Sequence, residues 1–134
     1  MQKFHFSLDK VLELKRTVLD KEKGLLANLR QEGQRIEDAL EEAHKEFQDL
    51  NHQIGKKSKE GLTVIQLRAM QFELDHIRYT IEQLKQDKIR QDKLIEKQLQ
   101  VVLEMSQSVS GLDKLKEKQL EELIESYCLF PCTI

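Results

Sequence analysis

Apolar residues recur along the first half of the chain at Leu8, Val11, Leu12, Val18, Leu19, Leu25, Leu26, Leu29, Ile36, Leu40, Ala43, Phe47, Leu50 and Ile54. Steps of three and four alternate, which keeps these positions on one face of a helix. The pattern predicts one α-helix over about residues 8–54, roughly 47 residues long. Ser7 stands where an N-cap belongs and Asp9 falls in the positively polarised first turn. Phe4 and Phe6 precede that helix, and Phe6 is placed to staple onto Val11. Two successive steps of four, Leu25 to Leu29 to Gly33, predict a stutter that locally unwinds a supercoil.

The pattern stops at 55–61, where two glycines bracket Lys56, Lys57, Ser58, Lys59 and Glu60, the composition of an exposed turn. Thr63 then reopens a helix, and Gln66 three residues later completes a capping box. A heptad follows. One position reads Leu67, Leu74, Ile81, Lys88, Ile95, Val102, Val109, Lys116, Leu123 and the other Met70, Ile77, Leu84, Gln91, Gln98, Met105, Leu112, Gln119, with twelve of the seventeen apolar. A helix over 64–127 would be about 96 Å long. Segment 106–111 has low helix propensity, and Ser110 with Asp113 resembles a further cap, so a separate third helix stands as the alternative to the continuous one that the unbroken heptad favours.

Two amphipathic helices joined by a short polar turn bury their stripes against each other at little loop-closure cost, which makes an all-α, antiparallel coiled-coil hairpin of a single domain. Folding at 55–63 pairs residues whose numbers add up to about 117. That register matches Leu50 with Leu67, Phe47 with Met70, Ala43 with Leu74, Leu40 with Ile77 and Ile36 with Ile81, five apolar pairs in succession. It sets Lys15, Glu22, Lys88, Gln91 and Gln98 in the remaining seam, so that half should splay more readily, and Leu40→Asp should hurt folding more than Leu19→Asp. It also leaves 110–127 without a helical partner over roughly 27 Å. Leu112, Leu115, Leu120, Leu123, Ile124 and Tyr127 make that overhang apolar, the mark of a partner site. Cover by Phe4 and Phe6, or self-association, is the plainer reading.

Composition removes most other functions. The 134 residues are 34% charged, with seven aromatics and one proline, too little bulk and punctuation for an open sheet or a nucleotide-binding fold. A net charge of −2 denies the positive field that nucleic acid requires. The charged N-terminus suits neither a signal peptide nor a membrane span, which predicts a cytoplasmic protein without direct membrane insertion. Cys128 and Cys132 offer no disulfide framework, and His5, His44, His52 and His76 show no metal-ligand spacing. Carboxylates such as Glu37, Asp38, Glu41, Glu42 and Glu46 read as a solvated helix face. No catalytic residue, metal site or cofactor is predicted. Lys56, Lys57 and Lys59 solubilise the turn or meet an acidic partner, and Met70 and Phe72 together read as seam and shoulder packing, with a binding face as the alternative.

The segments FHFSLDKVLELK at 4–15, GLTVIQLR at 61–68 and LKEKQ at 115–119 stand at a spacing that resembles the FliJ family of flagellar export proteins along nearly the whole chain. The resemblance implies a cytoplasmic, stalk-like component of the flagellar type III export apparatus, peripherally associated at the inner membrane and serving flagellum biogenesis, motility and chemotaxis. Its implied partners are the hexameric export ATPase, the export gate membrane protein and export chaperones, and it would be monomeric alone. The end carrying both termini would enter the ATPase, through Leu112, Leu115, Lys116, Lys118, Leu120, Leu123 and Ile124. The gate-binding face would fall at Phe72, Glu73, Ile77, Thr80 and Leu84. The competing class is a generic coiled-coil scaffold or tether acting as a homodimer.

Overall fold

The computed structural model describes the backbone of residues 2–132 and the side chains of residues 8–127. Two helices, α1 (Gln2–Glu60) and α2 (Val64–Cys132), form an antiparallel helical hairpin. Both are longer than the periodicity predicts. Residues 2–7 contain neither glycine nor proline, so a helix nucleated downstream propagates through them, and Phe4 and Phe6 lie within α1. Ser7 therefore lies inside α1 and not at its start, and the Phe6 staple concerns a side chain outside the described residues. At the other end α1 continues through Gly55 to Glu60. An interior glycine costs only about 1 kcal/mol, and the lysines around it are good helix formers whose charge favours a helix C-terminus.

The loop is thus three residues, 61–63. Gly61 ends α1 with φ of 104°, and its amide reaches the Lys57 carbonyl at 3.0 Å. Thr63 opens α2 with the expected reciprocal cap: the Gln66 amide donates to Thr63 Oγ1 at 3.2 Å, and the Thr63 amide donates to Gln66 Oε1 at 3.3 Å. α2 runs unbroken through 106–111 and on to Cys132, beyond the expected end at 127.

The hairpin divides into two compact units, one made of residues 28–96 and the other of 1–27 with 97–134. In the first, which holds the loop, Ile36, Ala43, Leu50, Leu74 and Ile81 are buried. Gln91 donates from Nε2 to the Leu29 carbonyl at 2.9 Å, and Lys88 pairs with Glu37 at 3.4 Å. The guanidinium of Arg78 lies 5.3 Å from the centre of the Phe47 ring, a cation–π contact. In the second, which holds both termini, Leu12, Leu19, Leu26, Val102 and Val109 are buried. Gln98 Nε2 donates to the Glu22 carbonyl at 3.0 Å and also to the Glu22 carboxylate. Ion pairs join Arg16 to Asp113 at 2.5 Å and Lys116 to Asp9 at 2.6 Å.

Within each unit the numbers of facing residues add up to between 120 and 129, centred near 124 and not 117. The seam has slipped by one heptad. The shorter loop, centred on Leu62, accounts for it, and the hydrophobic pattern could not have shown it, because a seven-residue slip returns every seam residue to the same face. Leu50 now stands level with Leu74 and Ala43 with Ile81, all four buried, whereas Leu67 remains 37% exposed. The stutter is absent too. Leu25 is 45% exposed and Leu26 only 6%, so the inward steps run Glu22, Leu26, Leu29, Gly33, Ile36 in regular alternation. Finally, the overhang shortens: with six more residues on α1 and the shifted register, Gln2 falls level with Glu122, Asp9 and Arg16 reach residues beyond 110, and α2 extends past the start of α1 only from 123 to 132.

Candidate functional site

The seven residues expected at the ATPase contact lie on α2 in the unit that holds both termini, and the heptad divides them. Leu112, Lys116 and Leu123 occupy seam positions and are half-buried, with the Lys116 ammonium held by Asp9. Leu115, Lys118, Leu120 and Ile124 are exposed. Leu120, Ile124 and Tyr127, at steps of four and three, share a helix face and form a short exposed apolar stripe, 48%, 53% and 72% accessible. This stripe is what the structure leaves of the expected overhang.

The five residues expected at the gate contact lie on α2 in the other unit and also separate. Ile77, Thr80 and Leu84 are half-buried, Ile77 and Leu84 in the seam, and the Thr80 hydroxyl donates to the His76 carbonyl at 3.1 Å. Glu73 is exposed, and Phe72 is 78% exposed. Met70 belongs to the seam, so Met70 and Phe72 take opposite roles. Sequence reasoning missed two companions of Phe72. Ile65, Phe72 and Tyr79 follow at steps of seven on the outermost heptad position, 82%, 78% and 63% exposed. The available signal was a heptad repeat of large apolar residues outside the two seam positions, where a coiled coil ordinarily carries polar side chains.

Glu32 receives a forked hydrogen bond from Arg35, at 2.6 Å from Nη2 and 3.0–3.1 Å from Nε, which holds the carboxyl below its usual range and raises the guanidinium. Both groups are exposed. Among the described residues no three His, Cys, Asp or Glu side chains converge as metal ligands, and no helix is long and apolar enough to cross a membrane.

No curated protein and no solved structure matches the chain. The family model described as flagellar FliJ protein matches residues 4–126, spanning the hairpin loop and nearly all of both helices. With the two-helix hairpin, that match establishes that the chain belongs to the FliJ family of flagellar export proteins.

Proposed function

We propose that this flagellar export component acts by binding and not by catalysis, as a stalk-like adaptor between the hexameric export ATPase and the export gate and chaperones. The observation that carries the reading is the pair of exposed apolar stripes on α2, one in each unit: Leu120, Ile124 and Tyr127 in the unit with both termini, and Ile65, Phe72 and Tyr79 in the unit with the loop. Large apolar side chains at outward positions lose favourable burial unless a partner covers them. The first stripe is assigned to the ATPase, with Leu115 and Lys118 exposed on the opposite flank of the same segment, and the second to the gate. The protein works in the cytoplasm at the export apparatus.

The test titrates the cognate export ATPase with the chain and follows hydrolysis rate and oligomeric state. The intact protein should promote hexamers or turnover, and Leu120→Glu with Ile124→Glu should abolish the effect without changing helix content, since both side chains already face water. Phe72→Ala with Tyr79→Ala should spare the ATPase effect and weaken binding to the cytoplasmic part of the gate. An intact chain that dimerises and leaves the ATPase untouched would establish the homodimeric scaffold instead.

A further inference from the structure

The two flanks of the seam differ in the unit built from residues 1–27 and 97–134. Labelling the seam positions of each helix a and d, α1 carries Leu12, Leu19 and Leu26 at a, with Lys15 and Glu22 at d. On one flank, at e, stand Asp9 and Arg16, tied to Lys116 and Asp113. On the other flank, at g, stand Val11, Val18 and Leu25, facing a g row of α2 that reads Val101, Ser108, Leu115. Five of these six g residues are apolar, and none of the ion pairs among the described residues crosses that flank. A two-stranded coiled coil needs apolar residues only at a and d. An apolar face widened to include g is the pattern of a helix that packs against two others.

The geometry agrees with the pattern. Leu14, Lys15, Val18, Met105 and Ser108 line an open groove of about 180 Å³ on this flank. Leu14 is 66% exposed at its edge. The polar link across the groove runs from Lys15 Nζ to Ser108 Oγ at 2.8 Å, and no carboxylate of the described residues lies within ion-pair distance of that ammonium. Lys21, seven residues after Leu14, and Lys97 and Lys118, at the same heptad position of α2 as Glu104, add three exposed cations to the same flank against two anions, Glu104 and Glu122.

We infer that this groove seats a third helix, supplied by a partner protein, whose apolar stripe packs on Leu14, Val18 and Met105 and whose flanking positions are acidic. Charge decides against a second copy as the occupant. A two-fold pair packed through this flank would set one net-positive flank against another, whereas an acidic flank supplies the counter-ion that Lys15 lacks. The residues that line the groove are distinct from those of the two stripes assigned above, and the inference does not depend on them.

The probe is a synthetic amphipathic peptide of about 25 residues, long enough to be helical, with leucine at a and d and glutamate at e and g. A second peptide carries lysine at e and g. Fluorescence anisotropy with the full chain should show binding of the acidic peptide, weakened by added salt, and none of the basic one. Leu14→Glu should weaken that binding at least about tenfold, and Lys21→Glu with Lys97→Glu should reverse the preference between peptides. Circular dichroism should show unchanged helix content and melting in all variants, because the three side chains are exposed. Equal binding of both peptides, no binding at about 1 mM, or indifference to Leu14→Glu would overturn the inference. A dimer in sedimentation equilibrium that Leu14→Glu dissolves would overturn it in favour of a second copy.

Discussion

At the scale of single residues, the glycines separate by what surrounds them. A methyl group added at Gly24 or Gly111 meets nothing within 4 Å, and both lie inside helices. Gly24→Ala and Gly111→Ala should each stabilise the fold by about 0.5–1 kcal/mol in urea unfolding. Gly33 packs on Ile95, whose Cδ1 would stand 3.2 Å from a new methyl, so Gly33→Ala should gain less than Gly24→Ala. Gly61 is different in kind, because its φ of 104° is one that side chains resist, and Gly61→Ala should cost about 1–2 kcal/mol. The Glu32–Arg35 pair sets a pH dependence of known sign. The folded carboxyl is depressed, so its contribution is complete above the ordinary carboxylate range and is lost as pH falls through the lowered folded value. Glu32→Gln should therefore lower stability at pH 7 and make no difference in strong acid, with an effect kept small because both partners are exposed to water.

At the scale of the helices, periodicity was informative about faces and poor about ends. The seventeen seam positions of α2 are buried or half-buried except Leu67, because a/d spacing decides which stripe leaves water. The ends were less legible because Gly55 and the lysines resemble a turn in composition while costing a helix little. On α1 the ambiguity between the adjacent pair Leu25 and Leu26 produced the stutter, and only burial resolves it. The relative weight of two core positions changes as well: Leu19 is 6% exposed while Leu40 is half-buried. Leu19→Ala should then cost about 2–4 kcal/mol in urea unfolding, and Leu40→Ala less, the reverse of the order that seam polarity suggests. Gln91 and Gln98 are polar at seam positions yet satisfied by carbonyls of the facing helix. Such bonds select register at some expense of stability. Gln91→Leu with Gln98→Leu should raise the urea midpoint while allowing other registers or oligomers, visible in native mass spectrometry.

At the scale of the whole molecule, the register and the fate of the apolar surface are the quantities to test. With Cys128 and Cys132 changed to serine, Leu50→Cys with Leu74→Cys should oxidise readily, and Leu50→Cys with Leu67→Cys should not. The candidate contacts inherit that register: three of the seven residues of one expected set and two of the five of the other belong to the seam, while Leu120 and Ile124 group with Tyr127 in one unit and Phe72 with Ile65 and Tyr79 in the other. Family membership, the all-helical fold, the antiparallel hairpin and the inward face of each helix were determined by the sequence alone, because they follow from local periodicity, capping and motif spacing. The heptad register, the pairing of Asp113 and Lys116 with α1 and the apolar flank with its unneutralised lysine were decided only by tertiary structure. A heptad slip leaves the pattern of apolar residues unchanged, so the choice falls to loop length and to the few cross-helix bonds that fit one alignment.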